Sequence, residues 1–141
     1  VSKAEPLLVF RVGSYEYGIP VAEMREIARV GELRSIPGAA GGIIGFTALR
    51  GRLMPVLDLR ERLGVPHPAP AKGARVVVGS VRGELAAIVT DEVSEVVTVP
   101  KSSIESVPAM WAGAASNEVR GVAHLGERRI FVLALNRLLK D

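Results

Sequence analysis

Two histidines, fifteen carboxylates and a scatter of serines are the groups in this 141-residue chain that could do chemistry. Zinc needs three or four ligands at short spacing. His67 lies between prolines and His124 in a strand-like run; neither has a second histidine nearby, and the chain has no cysteine. Ser14, Ser35, Ser80, Ser102 and Ser103 are turn or loop residues, and none stands in a nucleophile-elbow pattern. The acids mostly alternate with arginine, so no carboxylate pair is marked out for proton transfer. The run "GAAGGIIG" (38–45) lacks the Lys-Ser/Thr of a phosphate loop. It leads into a strand, where a dinucleotide fingerprint would lead into a helix. The residues therefore predict no catalytic group, no metal and no cofactor. Arg50 differs in kind. On a two-residue turn its guanidinium would project past a sheet and offer a planar fork to a carboxylate or a backbone carbonyl. The plain alternative is a solvated turn arginine. Asp58 reads as a helix cap, or as a partner of Arg60 or Arg62.

The elements that must position Arg50 are strands. "IIGFTALRGRLMPVLDLR" (43–60) reads as strands at about 43–49 and 52–57 around a tight turn at Arg50-Gly51. "DLRERLG" then gives one or two helical turns closed by Gly64. Near the start, Leu7 to Val12 and Glu16 to Ile19 form a hairpin whose Gly13 permits the positive φ of a tight turn. Apolar Val21, Met24, Ile27 and Ala28 recur at helical spacing, which predicts a short amphipathic helix, or a helical turn leading into a strand. "RSIPGAAGG" is a loop. "VPHPAPAKG", with three prolines, is the clearest linker. Strands follow at about 75–80, 84–90 and 95–99. After a long loop to Asn117 come strands at about 118–125 and 128–133 and a short closing helix.

The chain repeats itself. Shifted by 76 residues, "GFTALRGRLMPVLDLRERL" lies over "GVAHLGERRIFVLALNRLL", matching Gly45 with Gly121, Leu57 with Leu133 and Leu63 with Leu139. Shifted by 69, Ile19 meets Ile88, Met24 meets Val93 and Glu26 meets Glu95. Each half would hold about five strands. Five short twisted strands can curl into a small barrel that hides most of its edges. The expected fold is mainly all-β: two five-stranded barrels packed together, one from about 15–66 plus a terminal strand or helix, the other from about 74–141. A single larger sandwich competes. Hydrophobic residues at 48% and charged residues at 23% predict an ordered chain, and aromatics at only 4% leave Val, Leu, Ile and Ala to fill its core. No stretch reaches 18 apolar residues, so a soluble cytoplasmic protein with no direct membrane insertion is expected.

At these residues the chain resembles the CheW-like chemotaxis coupling proteins. Their hallmark is an apolar-Gly-apolar step, Asn-Leu-Arg-Gly, an apolar strand with Pro, and Asp-Leu-Arg. Here it stands as "IGFTALRGRLMPVLDLR". The resemblance extends to "LVFRVGSYEYGIPVAEMREI", "AAIVTDEVSEVV" and "VRGVAHLGERRIFVLALNRLL", in order, over nearly the whole chain. It implies two five-stranded barrels in one CheW-like domain and no catalysis. It implies an adaptor that bridges the cytoplasmic tip of chemoreceptors (methyl-accepting chemotaxis proteins) and the regulatory domain of a CheA-type histidine kinase, which shares the fold. Receptor binding in a groove between the barrels would carry over to Met24, Gly45 and Arg50. Kinase contacts would carry over to Glu26 on one barrel and to Val76 and Val93, as exposed strand surfaces, on the other. Ala48 departs from the family's Asn, and Ala134 from a usual acid; both departures bear on partner choice.

Two rivals stand against the adaptor. A basic β-barrel that binds nucleic acid is suggested by the net charge of +3, but it wants clustered Lys/Arg and stacking aromatics on one face. Here Phe10, Tyr15, Tyr17, Phe46, Trp111 and Phe131 are dispersed, and no nucleic acid is expected as a partner. A small enzyme would need a nucleophile or shifted acids, and none is marked.

Overall fold

The computed structural model describes residues 4–35, 42–62, 73–106 and 119–138. The proline-rich linker with His67, Gly64, the loop with Trp111, and the Leu63–Leu139 match lie outside them. Twelve strands are described: β1 (Ala4–Val12), β2 (Tyr15–Pro20), β3 (Met24–Arg29), β4 (Arg34–Ser35), β5 (Ile43–Leu49), β6 (Arg52–Leu57), β7 (Arg75–Val81), β8 (Glu84–Val89), β9 (Glu92–Pro100), β10 (Ile104–Glu105), β11 (Val119–Leu125) and β12 (Arg128–Leu133). Two short helices, α1 (Leu59–Arg62) and α2 (Leu135–Leu138), follow β6 and β12.

The strands form two six-stranded sheets, ordered β10-β11-β12-β2-β1-β9 and β4-β5-β6-β8-β7-β3. Exchange β1–β6 for β7–β12 and one order becomes the other, so the sequence repeat is a repeat of topology. Neither sheet comes from one consecutive half. The first takes β1 and β2 from the front of the chain; the second takes β7 and β8 from the back. Six strands replace the expected five, because a two-residue strand, β4 or β10, adds to each sheet. The pairing leaves both sheets open, with β3 and β4 at the ends of one and β9 and β10 at the ends of the other.

Three clusters of buried side chains explain the runs of apolar residues. In "LLVF", Leu7 and Val9 point into a cluster with Val97, Val99, Ala123, Ile130 and Val132. Leu8 and Phe10 point the other way, into a cluster with Tyr17, Ile19, Val77, Ile88 and Leu133, drawn from both sheets. In "VVV", Val76 and Val78 join Met54, Val56, Ala87 and Val89 in a third cluster, while Val77 joins the shared one. A strand buried on both faces reads as continuous hydrophobicity, since side chains alternate sides. Each sheet thus lines a core of its own, and a third core joins the two.

Residues 21–29 resolve as the second of the two readings, a helical turn leading into a strand. Val21–Glu23 make one 3₁₀ turn, and β3 then pairs antiparallel with β7. Burial alternates residue by residue along β3. The ladder to β7 overrides the helical spacing of the apolar residues.

Asp58 is the cap the sequence implied. Its side chain is fully buried. It accepts from the Arg60 backbone N–H at 2.9 Å and from the guanidinium at 3.1 and 3.0 Å. That hydrogen bonding raises the pKa of Arg60 further. The repeat counterparts of Asp58 and Arg60 are Ala134 and Asn136, so the second half drops the acid and the base together. Ala134 is buried, and no charge is stranded there. Replacing Arg60 with Ala should cost about 2 kcal/mol, the range for hydrogen bonds to a charged group. Urea denaturation would read the loss, and Asn136→Ala should cost far less.

Candidate docking sites on the two sheets

The β5–β6 turn is the two-residue loop expected. Leu49 pairs with Arg52, and Arg50 and Gly51 both have positive φ, at 51° and 77°. This is the handedness that two-residue hairpins favour. Arg50 projects from the turn, its side chain 76% exposed, and its Nε donates to both Glu26 oxygens at 3.0 Å. Glu26 lies on β3, the far edge of the same sheet. Laid flat, β3 and β6 would stand three strand spacings apart, roughly 14 Å. The ion pair therefore records a curled sheet. The other sheet carries a similar tie from a different position, since Arg128 is the repeat counterpart of Arg52 and Arg50 is matched by Gly126. Glu95 on edge strand β9, the counterpart of Glu26, accepts from Arg128 at 3.5 Å, and Arg128 also binds Glu16 at 2.7 Å. That hydrogen bond from Arg128 holds the Glu16 carboxyl below its usual pKa.

The receptor positions are not brought together equally. Met24 opens β3, half-buried against the shared core. Gly45 is buried, and the backbone that approaches it is the chain's own: an added Cβ would stand 2.3 Å from the Arg34 carbonyl oxygen. Its repeat counterpart, Gly121, faces Glu105 in the same way. These two matched glycines let the two-residue strands β4 and β10 pair closely with β5 and β11.

The kinase positions need correction. Val76 is not an exposed strand surface. It is 1% exposed, inside the core of its sheet, because it shares the inward face with Val78. Val93 is half-buried against the shared core. The exposed apolar residue of that strand is Val96, and its repeat counterpart Ile27 is exposed on β3. Sequence reasoning passed over this pair, though the 69-residue shift aligns them and both lie on edge strands. Their surroundings differ. Ile27 stands between exposed Arg25 and Arg29, and Val96 between exposed Ser94 and Thr98, while Glu95 and Glu92 share the other face of β9 with Val9 and Arg11.

Among the described residues no group of three or more His, Asp or Glu is placed to hold a metal. His124 Nε2 stands 2.8 Å from Glu105 on an exposed rim. No helix among them is long and apolar enough to cross a membrane.

The CheW-like domain model matches residues 6–141. The chain belongs to the CheW-like family. It is 27% identical over 135 residues to a probable chemotaxis protein CheW of Rhizobium etli, covering 96% of this chain and 87% of the relative. It is 33% identical over 108 residues to the chemotaxis protein CheW of Bacillus subtilis, covering 77% and 69%. Protein FrzA of Myxococcus xanthus is 30% identical over 133 residues, covering 93% and 82%. The crystal structure of the scaffolding protein TtCheW from Thermoanaerobacter tengcongensis superposes with a TM-score of 0.84 at 25% identity, covering 100% of this chain and 91% of that one. The mainly-β architecture is thus the CheW fold, and the protein is a chemotaxis coupling adaptor of that family.

Proposed function

We propose that this CheW-like protein works without catalysis in the cytoplasm, joining the helical tip of a chemoreceptor to the regulatory domain of a CheA-type histidine kinase. We read it as two barrel-like subdomains, one of β3–β8 and one of β1, β2 and β9–β12, each curled sheet pinned by an arginine across its mouth. The observation that carries the reading is the Arg50–Glu26 ion pair. It ties a position of the receptor set to a position of the kinase set, across the open edge of one sheet. A receptor carboxylate that engages Arg50 competes with Glu26, and Glu26 belongs to the edge strand that a neighbouring protein would meet.

For the kinase we assign the exposed edge strand β9, with apolar Val96 between Ser94 and Thr98 at its centre, in place of Val76. A regulatory domain of the same fold carries its own edge strands, so contacts can run head to tail and close into rings. The edge at Ile27, flanked by arginines, and the edge at Val96, flanked by Ser94 and Thr98, suit such a chain of unlike ends. The nucleic-acid reading is weaker: Tyr15 is the one large aromatic exposed among the described residues, and single strands need several stacking faces.

Co-sedimentation with a receptor signalling fragment and a kinase regulatory domain tests the whole. Wild-type protein should bind both. Val96→Glu should lose the kinase domain and keep the receptor fragment. A Val96→Glu protein that binds the kinase domain as before would remove β9 from the reading.

A further inference from the structure

The chain crosses between its two sheets at residues 20–24 and again at 89–92. Side chains hold the second crossing from both sides. Thr90 is buried, and it donates from its backbone N–H and from Oγ1 to the Arg75 carbonyl on β7, at 3.0 and 3.2 Å. Asp91, the next residue, is tied to the β1–β2 hairpin of the other sheet. Its backbone N–H donates to the Arg11 carbonyl at 2.8 Å, and its Oδ2 accepts from the Gly13 N–H at 2.6 Å. Arg11 Nη1 stands 3.8 Å from the same Oδ2 and donates to the Gly13 carbonyl at 2.8 Å. Arg60, whose pKa is raised first by Asp58, is raised by the Asp91 charge as well. The 69-residue shift lays Thr90 and Asp91 over Val21 and Ala22. The first crossing therefore lacks both polar groups, and its 3₁₀ turn has no side-chain cap.

Each tie lands beside an edge strand. Arg75 pairs with Arg29, the last residue of β3. Arg11 pairs with Glu92, the first residue of β9. A short run of direct contacts thus joins one edge to the other, through Arg75, Thr90, Asp91 and Arg11. The shared apolar core holds the sheets together, but apolar burial is non-directional, whereas hydrogen bonds fix orientation. We infer that Asp91 is a positioning residue, which with Thr90 fixes the angle between the two sheets and so the rotation from the β3 edge to the β9 edge. That rotation decides whether head-to-tail contacts close into a ring or run on as an open chain. The inference rests on the ring reading above and gives it a geometric cause. A run of contacts is not by itself coupling, so the test breaks it.

Angle and assembly are measured separately, in the full chain. The protein has no cysteine, so Glu84→Cys on one sheet and Arg129→Cys on the other, both exposed, take one spin label each. Pulsed electron resonance then reads the spread of distances between the sheets. With native Asp91 the distribution should be narrow. Asp91→Ala should broaden it, and Asp91→Ala with Thr90→Val should broaden it further. Asp91→Asn keeps an oxygen for the Gly13 N–H and should restore it. In unlabelled protein, Asp91→Ala should bind a kinase regulatory domain within about twofold of wild type, since Val96 lies beyond the joint. Closed assemblies of the two proteins, read by sedimentation velocity, should fall at least about tenfold as effective concentration is lost. Asp91 is exposed, so the single variant carries the test if the double variant unfolds. Equal distance distributions in wild type and Asp91→Ala overturn the inference, and so does a broadened distribution with assemblies intact. If Asp91→Ala weakens binding of the regulatory domain itself, Asp91 supports β9 and not the angle; the inference falls and the kinase reading stands. If wild-type protein binds the regulatory domain but forms no closed assembly, the ring reading falls and the inference with it.

Discussion

Arg50→Glu should weaken binding to a receptor signalling fragment by about ten- to a hundredfold, some 1–3 kcal/mol, with the fold intact. The residue touches little of its own protein. Its ion-pair partner is Glu26, and an ion pair this exposed contributes at most about 1 kcal/mol to stability. Reversal puts two carboxylates where a clamp stood, so both the fork offered to a partner and the link to β3 disappear. Arg50→Asn separates these effects from strain. Arg50 holds a left-handed backbone, which costs a non-glycine residue about 1 kcal/mol and which Asn tolerates best. Asn should therefore raise the unfolding midpoint slightly while receptor affinity falls. Arg82, at φ 56° in the β7–β8 turn, supplies the control. It shares the strained conformation and pairs with no acid among the described residues, so Arg82→Asn should gain the same stability and lose no binding. If Arg50→Glu unfolds the protein, Arg50 is structural and the receptor assignment goes with it.

Much of this was legible because the chain states its plan twice. The hairpin at Arg50-Gly51, the cap at Asp58 and the match of Gly45 with Gly121 all follow from local rules and a fixed offset. Strand exchange was not legible. An alignment of two halves shows that β1 resembles β7, but not which half's strands each of them joins. That choice is made by the shared core, where Leu8 and Phe10 must find Val77 and Ile88. The two-residue strands were missed because their only signal is the absence of a Cβ on the strand they pair with. Val76 was misplaced for a related reason. In "VVV" the residue type is constant, so the inward and outward positions cannot be told apart until neighbouring strands fix the face. Val96 was overlooked because an apolar residue in a strand is ordinarily core. Its exposure follows from its place on an edge, and edges belong to the sheet and not to the sequence around them.

Gly45 sets the largest expected effect on stability. A side chain there meets the backbone of Arg34: the carbonyl oxygen at 2.3 Å and its carbon at 2.9 Å, with Leu33 Cδ1 at 3.0 Å. Backbone cannot swing aside as a rotamer does, so β4 must detach from β5. Overpacking of this kind costs about 1–3 kcal/mol and occasionally more, and losing β4 exposes Leu33 and Thr47 as well. Thr47 donates to the Glu32 carbonyl at 3.0 Å, a bond that holds the same pairing. Gly45→Ala should therefore cost roughly 3 kcal/mol or more, and Gly45→Asp should leave little folded protein, since it adds a buried charge to the clash. Gly121→Ala should be milder. The nearest atom there is Ile104 Cγ2 at 2.7 Å, which can rotate, and the Glu105 carbonyl oxygen at 2.8 Å must give way by less than the Arg34 oxygen at 2.3 Å. Urea denaturation of the two alanine variants gives the comparison. Equal losses would mean that the close pairing at β4 is not what Gly45 serves. Loss of receptor binding in Gly45→Ala at unchanged stability would return the residue to the receptor surface.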